Sequence, residues 1–136
     1  MIWIGVLILL LDLVLQNVFR LENIGYANRG VSFGFGPEVG SIISFIAFGG
    51  LLIWFVFELI KFKKIRSYIF LILLGGLGNI AGRVFWGSVW DYICVPHVPF
   101  CFNFSDVLIS IGVVSYILGG NGNRSTLRGQ RDTGNQ

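Results

Sequence analysis

Charged side chains are scarce in this 136-residue chain, because Asp, Glu, Lys and Arg together make up only 12% of it. A soluble domain of this length carries roughly a quarter of charged residues, so the deficit excludes an ordinary soluble protein. Hydrophobic residues make up 54% of the chain, and its mean hydropathy is +0.77. The composition therefore predicts an integral membrane protein with one domain.

Basic residues give a net charge of only +3. They lie in short connections and not on one face, so we expect no nucleic-acid partner. The densest basic run is KFKKIR at Lys61–Arg66, and the C-terminal segment adds Arg124, Arg128 and Arg131. Because Lys and Arg accumulate on the cytoplasmic side, both termini and the second connection are predicted to be cytoplasmic. The first and third connections then face outward.

Long apolar runs occur in four places: Ile2–Phe19, Val39–Leu59, Ser67–Trp90 and Phe104–Leu118. A helix needs about 20 residues to cross the hydrocarbon core and tolerates about 17, and backbone groups in lipid must be paired internally. The sequence therefore predicts an all-α membrane protein with four transmembrane helices. A small extracytoplasmic segment, with β structure as one alternative, would join the first two.

The two ends of the chain are interpreted differently. The first apolar segment has no basic start and no Ala-x-Ala-like exit, and it contains Asp12 and Gln16, so we do not expect a removable signal peptide. Residues 1–119 are predicted to form the membrane domain. Residues 120–136 have almost no apolar side chains and are predicted to be a disordered basic cytoplasmic tail.

Cysteine is also rare, with only two in the chain. Cys94 and Cys101 both lie in the third connection, on the predicted oxidising side, where a disulfide is one alternative. Their spacing alone does not fix the geometry of the Cβ atoms. A zinc site at Cys94, His97 and Cys101 is disfavoured because a fourth ligand is missing. We expect no metal ion and no cofactor.

Polar residues inside apolar spans are costly and need a reason. Asp12 lies near the middle of the first span, and Asn79 and Arg83 lie one turn apart on one face of the third. Asp91 ends the predicted third span, and Asp106 begins the fourth. Two adjacent helices are thus expected to return two carboxylates to the same outer level of the membrane.

Asp106 has two interpretations. It follows Asn103 by three residues, which fits a capping-box variant at a helix start, and Asp91 would then be a second interfacial cap facing water. Alternatively, the two carboxylates lie within a few ångströms and share a proton. The helix dipole would favour the anion at Asp106 and oppose it at Asp91, so we expect Asp91 to hold the proton. Such a pair can activate water and protonate a leaving amine, as in aspartic proteases.

Four sequence blocks, in order, resemble the lipoprotein signal peptidase (signal peptidase II) family. GGLGNIAGRVFWGSVWDY at Gly75–Tyr92 is similar to the family block G-N-x-x-D-R-x-x-x-G-x-V-x-D-F, and FNFSD at Phe102–Asp106 is similar to F-N-x-A-D. YANRGVSFGF at Tyr26–Phe35 resembles the N-x-G-x-A-F segment. Asp12 stands where the first span of the family carries an acid.

The resemblance implies an intramembrane aspartic endopeptidase that removes signal peptides from diacylglyceryl-modified prolipoproteins. The resemblance also implies that cleavage takes place at the outer face of the bacterial cytoplasmic (inner) membrane, with residues 1–119 as the peptidase domain. The implied partners are these prolipoproteins and membrane lipid, and we expect a monomer. Asp91 and Asp106 match the catalytic pair. The implied substrate-binding or site-lining residues are Asp12, Asn28, Gly30, Asn79, Arg83 and Asn103.

Two positions depart from the family pattern. Gly82 replaces the acid before Arg83, and Gln16 replaces the lysine that follows Asp12 by four residues. Together the changes remove one negative and one positive charge, whereas a single loss would leave a costly unpaired charge. We interpret them as compensatory, with drift in an inactive protein as the alternative. A third change, Ser105 for alanine, is minor.

Two other functions remain alternatives. A small four-helix proton-coupled transporter would use Asp12, but it leaves Asp91, Asn103 and Asp106 unexplained. A catalytically inactive prolipoprotein-binding homologue would need neither outer acid. Changing each acid separates these functions from a protease.

Several side chains have both a structural and a functional interpretation. Arg83 either contacts a substrate carbonyl or pairs helices, with equal weight. Trp86, Trp90 and Tyr92 are interpreted first as an interfacial aromatic belt. The glycines of the third span favour close helix packing over access for an acyl chain.

Overall fold

The computed structural model describes residues 2–30, 39–62 and 66–132. It is mostly helical, as predicted. Residues 31–35 of the first-connection block and residues 63–65 of the basic run lie outside the described residues. The elements in chain order are α1 (Ile2–Leu21), β1 (Tyr26–Asn28), α2 (Gly40–Phe62), α3 (Ser67–Trp86), β2 (Val89–Asp91), β3 (Ile93–Cys94), β4 (Cys101–Phe102) and α4 (Phe104–Asp132).

Three helices within the described ranges are long and apolar enough to cross a membrane: Trp3–Leu21, Gly40–Lys61 and Ser67–Trp86. The apolar part of α4, Phe104–Leu118, is shorter. Large apolar side chains such as Leu7 and Ile53 are exposed on these helices. Helices that are apolar on their outer faces too are typical of a bilayer environment. The chain is a multi-pass membrane protein.

The helix α3 ends earlier than the predicted third span. Gly87 has φ 71°, and its N–H donates to the carbonyl of Arg83. This left-handed helix end is accessible to glycine because glycine has no Cβ. Asp91 therefore lies on β2 and not in a last helical turn. The prediction that the helix dipole opposes the Asp91 charge is wrong.

Two short antiparallel ladders join the connections at one end of the helices. β1 pairs with β2, with Tyr26 opposite Asp91. β3 pairs with β4, and a disulfide joins Cys94 to Cys101 across them. The first and third connections therefore lie at the same end of the molecule, and the first contains β structure. The disulfide also takes two of the three ligands of the disfavoured zinc site.

The helix α4 continues past Leu118 to Asp132. It thereby covers most of the segment predicted to be a disordered tail. Extending an existing helix is far easier than nucleating a new one, because each added residue forms a hydrogen bond while few dihedrals are fixed. Residues 133–136 lie outside the described part of the chain. The division into a domain and a tail at residue 119 stays a prediction.

Glycines on α3 allow α4 to approach closely. A Cβ on Gly78 would overlap the hydroxyl of Ser105, and a Cβ on Gly75 would overlap the Ser105 carbonyl. Small residues at such positions let two helix backbones come together in a membrane. These two glycines therefore serve helix packing.

We expect Gly78→Ala to destabilise the protein by about 1–3 kcal/mol, the usual cost of adding a methyl group to a packed contact. Thermal unfolding in detergent measures the change. Gly50→Ala on α2 is the matched control, because a Cβ there meets nothing within 4 Å. Equal effects of the two substitutions would contradict the packing explanation.

Candidate active site

One residue, Asn103, contacts both predicted catalytic carboxylates. Its side-chain Nδ2 donates to Asp91 Oδ1 at 2.8 Å, and its backbone N–H donates to Asp106 Oδ2 at 3.2 Å. The Asn103 Oδ1 in turn accepts the backbone N–H of Asp106 at 3.0 Å. The last two bonds form the predicted capping box at the start of α4. The same residue therefore caps the helix and brings the two carboxylates together.

Two further asparagines complete the hydrogen bonds of the pair. Asn28 Nδ2 donates to Asp91 Oδ2 at 3.0 Å, and Asn79 Nδ2 donates to Asp106 Oδ1 at 2.8 Å. The Asn79 Oδ1 accepts from Asn103 Nδ2 at 3.2 Å. The three predicted asparagines thus come from β1, α3 and the start of α4 to one cluster. Each carboxylate oxygen of the pair accepts a hydrogen bond from an N–H group.

Asp91 is 3% exposed, and its environment favours the protonated form. Burial, followed by the negative charge of Asp106, raises the pKa of Asp91 to about 6. The hydrogen bonds from Asn28 and Asn103, and the charge of Arg83, act in the opposite direction. Desolvation outweighs them because it penalises a carboxylate that lacks water. Burial and the Asp106 charge, and not a helix dipole, therefore keep a proton on Asp91 to a higher pH than on an ordinary aspartate.

Arg83 is buried beside the carboxylate pair. Its Nη2 donates to the carbonyl of Gly30 at 2.6 Å, and its Nη1 donates to the carbonyl of Asn79 at 3.1 Å. Its positive charge interacts with both Asp91 and Asp106. Arg83 therefore tethers the first connection to α3, and it places Gly30 next to the site. These contacts favour the interpretation in which Arg83 holds parts of the chain together over the one in which it contacts a substrate carbonyl.

A cavity of about 450 Å³ opens beside the two carboxylates, between α2, α3 and α4. Its polar end contains Asn28, Asn79, Arg83, Asp91 and Asp106. Its other walls are mainly apolar. They include Ala47, Phe48, Leu51, Ile72, Gly76 and Ile109 from the helices, and Phe100, Cys101 and Phe102 from the third connection. An apolar cavity with convergent polar groups at one end suits an extended apolar ligand with a reacting polar bond.

Asp12 does not line this cavity, although the sequence placed it among the site-lining residues. It is 0% exposed, and its carboxylate accepts four hydrogen bonds, from Gln16, Tyr92, Phe104 and Ser105. Asp12 is absent from the cavity wall because its carboxylate faces the start of α4 and not the space beside α2. A buried acid with this many partners also offers no open site for a proton-coupled transporter.

Sequence reasoning missed the apolar walls of the cavity. Phe48 and Leu51 belong to α2, whose apolar sequence contains no motif that separates a cavity wall from a lipid-facing side. Phe100 and Phe102 lie at the disulfide-linked hairpin and stack at 5.6 Å. Phe102 directly precedes Asn103 in the sequence, and this proximity to a predicted site residue was the available indication that the third connection borders the site.

The two departures that change a charge, Gln16 and Gly82, lie next to each other. A Cβ on Gly82 would lie 3.0 Å from Gln16 Oε1. Gln16 is fully buried, so a lysine there would add a positive charge without water. An aspartate at position 82 would supply the neighbouring negative charge, which fits the compensatory interpretation.

We therefore expect Gln16→Lys alone to lower stability by about 3 kcal/mol or more, the scale of an uncompensated buried charge. Gln16→Lys combined with Gly82→Asp should recover a large part of that loss. Denaturation midpoints of the two single variants and the double variant give the coupling. Additive effects would refute compensation.

Comparison with known proteins agrees with this geometry. Residues 1–120 match the family model described as signal peptidase (SPase) II. The lipoprotein signal peptidase of Anaplasma marginale is 37% identical over 98 residues, covering 66% of this chain and 57% of the relative. That of Fusobacterium nucleatum is 38% identical over 111 residues, covering 77% and 66%. The match thus spans less than two thirds of either relative.

The fold is also similar to those of two solved structures, each described as a bacterial membrane enzyme. One superimposes with a TM-score of 0.78 at 25% identity, covering 92% of this chain and 89% of the other. The second gives a TM-score of 0.70 at 26% identity, covering 87% and 90%. With the family match over nearly the whole described chain, these similarities establish that the chain belongs to the signal peptidase II family.

Proposed function

We propose that this chain is an aspartic endopeptidase that removes signal peptides from diacylglyceryl-modified prolipoproteins, with Asp91 and Asp106 as its catalytic residues. One observation carries the proposal: Asn103 holds both carboxylates at the polar end of an apolar cavity. Two interfacial caps facing water would not share a buried partner. The name of the relatives, lipoprotein signal peptidase, supports the substrate class.

The pair supports hydrolysis by general acid and base catalysis. Asp106 takes a proton from a water molecule, whose oxygen bonds to the carbon of the scissile carbonyl. Asp91 gives its proton to the carbonyl oxygen, so a neutral tetrahedral intermediate forms. The C–N bond then breaks as Asp106 returns its proton to the leaving amine, and Asp91 recovers a proton from the intermediate. The raised pKa of Asp91 suits a group that must hold a proton before the reaction.

The cavity suits a substrate that lies in the bilayer. Its walls between α2, α3 and α4 are apolar, so they can accept the hydrophobic part of a signal peptide or an acyl chain. None of the membrane-spanning window of α2 is buried inside the protein. A lipid-modified precursor can therefore approach laterally while its scissile bond reaches the polar end.

We also propose a topology. The helices α1 to α4 each cross the bacterial cytoplasmic (inner) membrane, both termini are cytoplasmic, and the site lies on the extracytoplasmic side. The pairing of β1 with β2 supports this arrangement, because it places the first and third connections at one end. Lys61 in the last turn of α2 and Arg66 directly before α3 flank the second connection, at the opposite end. Basic residues are typical of the cytoplasmic side. The enzyme is proposed to act as a monomer.

The test uses the purified full chain in detergent with two forms of one precursor, which differ only in the diacylglyceryl group on the cysteine. We expect cleavage of the modified form directly before that cysteine, detected by mass spectrometry, and no cleavage of the unmodified form. A chain that binds the modified precursor and leaves it intact would be the inactive binding homologue.

The pH dependence of cleavage should report the carboxylate pair. The active form has one shared proton, so the rate is expected to fall as pH rises through about 6, the pKa to which Asp91 is raised. The hydrogen bond from Asn28 lowers that pKa. Asn28→Ala should therefore move the descending limb of the profile to higher pH.

The measurement is kcat/KM from about pH 4 to about pH 9, since this ratio reports the ionisations of the free enzyme. Asn17→Ala is the control, because Asn17 is exposed on α1 and is the same residue type. A limb that stays in place, or moves to lower pH in Asn28→Ala, would contradict the assignment to Asp91.

A further inference from the structure

The four hydrogen bonds of Asp12 connect α1 to the chain on both sides of the catalytic pair. Asp12 Oδ1 accepts the hydroxyl of Tyr92 at 2.6 Å and the backbone N–H of Phe104 at 3.0 Å. Asp12 Oδ2 accepts the hydroxyl of Ser105 at 2.5 Å and Gln16 Nε2 at 2.8 Å. All four donors are neutral, and no ion pair of Asp12 is found in the described part of the chain.

On the Asp91 side, both neighbouring residues are fixed to α1. Tyr92 follows Asp91 and bonds to Asp12, while its ring stacks on Phe19 with centroids 5.1 Å apart. Trp90 precedes Asp91, and its backbone N–H donates to Gln16 Oε1 at 3.3 Å. The short strand β2 is therefore held before and after its carboxylate.

On the Asp106 side, the two preceding residues are fixed to the same carboxylate. Phe104 and Ser105 form the start of α4, and both donate to Asp12. The ring of Phe104 also contacts the ring of Tyr92 edge-on at 6.0 Å. Asp12 is thus a common reference point for the two chain segments that carry Asp91 and Asp106.

The hydroxyl of Tyr92 is well suited to a permanent contact. Burial and the hydrogen bond to Asp12 raise its pKa, so it remains a donor throughout the working range. Tyr92 is packed between Phe19 and Phe104, which replaces its predicted place in an interfacial belt. Ser105 is the third position that departs from the family pattern, and its hydroxyl joins that of Tyr92 on the Asp12 carboxylate.

We propose that Asp12, with the hydroxyls of Tyr92 and Ser105, is a positioning device that sets the separation of the Asp91 and Asp106 carboxyl groups. The inference rests on the proposed peptidase function of that pair. None of the three residues lines the cavity, so they act through the two aspartates and do not touch substrate. Their removal should change the chemical step and leave substrate binding intact.

The experiment compares Tyr92→Phe, Ser105→Ala and the double variant, each of which deletes only oxygen atoms. We expect kcat to fall about tenfold in each single variant and further in the double variant, because small misplacements of reacting groups cost one to two orders of magnitude. KM should stay within about twofold, since the binding surface is unchanged. Tyr68→Phe is the control, because its hydroxyl contacts Arg66 at the far end of α3.

Infrared titration gives a readout that does not depend on turnover. The carboxyl band of Asp91, assigned by difference from Asp91→Asn, should titrate at lower pH in the double variant, because a more distant Asp106 charge raises the Asp91 pKa less. The groups that face Asp91 are Asp106, Arg83, Asn28 and Asn103.

Two results would overturn the positioning role. One is a double variant whose kcat per folded molecule and infrared titration both match the wild type. The other is a loss of thermal stability alone, with kcat unchanged. If the wild-type chain cleaves nothing while the infrared midpoint still moves, the proposed function fails and the positioning role stands.

Discussion

Asp106→Asn is expected to lower the rate of signal-peptide removal by about 10³-fold or more, and Asp91→Asn by a similar factor. General acid and base groups contribute about 10²–10⁴-fold to such reactions. An amide at position 106 cannot accept the proton of the attacking water, and an amide at position 91 cannot give a proton to the carbonyl. Because the two groups act as a unit, the double variant should lose little more than either single variant.

The measurement is single-turnover cleavage of the modified precursor, normalised to folded protein. Both substitutions are nearly isosteric, although each places an amide where two donors now point, so thermal unfolding must be followed in parallel. Glu22→Gln, an exposed acid beyond α1, is the control and should retain full activity. Folded variants that still cleave at more than about a tenth of the wild-type rate would remove Asp91 and Asp106 from acid–base catalysis.

Asn103 should show the second largest effect, and its two roles can be separated. Serine caps a helix about as well as asparagine, whereas alanine does not. Asn103→Ser is therefore expected to keep the helix cap that Asn103→Ala loses, while activity falls about 10²-fold, because Asp91 Oδ1 loses its donor and the pair is misplaced. Asn103→Ala should lose the same activity and be about 1 kcal/mol less stable than Asn103→Ser.

Cleavage rates and denaturation midpoints of the two variants separate the contributions. The backbone N–H of residue 103 remains in both, so the contact to Asp106 Oδ2 persists. If Asn103→Ser keeps wild-type activity, the side-chain contact to Asp91 has no catalytic value. Asn17→Ser, on the exposed side of α1, controls for the substitution itself.

The parts of the site that the sequence predicted are largely local ones. Asn103 and Asp106 are three residues apart, and a capping box needs no information from the rest of the chain. Asn79 and Arg83 lie one turn apart, so helical periodicity places them on one face. The resemblance to the family added Asn28, which reaches Asp91 only because β1 pairs with β2. No pattern near Asn28 reveals that pairing.

The end of α3 shows why hydropathy alone misplaced Asp91. Residues 87–90 are small or apolar and continue the third span smoothly in composition. The helix ends because Gly87 adopts a left-handed conformation, and composition does not report a backbone dihedral. The consequence is chemical as well as geometric, since burial and Asp106, and not a helix dipole, set the pKa of Asp91.

The hydrogen-bond partners of Asp12 that are distant in the chain could also not be predicted from the sequence. The acid was recognised as unusual, but its donors Tyr92 and Ser105 are 80 and 93 residues away. An aromatic residue near a membrane surface suggests a belt by composition, whereas its hydroxyl has a specific buried partner. The sequence identified the polar residues of the site. The packing of α1 against α4 then determines which of them line the cavity, as Asp106 does, and which support it from behind, as Asp12 does.

The bridge between Cys94 and Cys101 leaves the native chain with no reactive sulfhydryl, since these are its only cysteines. The wild type is therefore a ready background for site-directed labelling, without the removal of natural residues. A single cysteine placed on α2 would be the sole target for a maleimide spin label or fluorophore. The position of that helix could then be followed while a precursor is added, with the native disulfide intact.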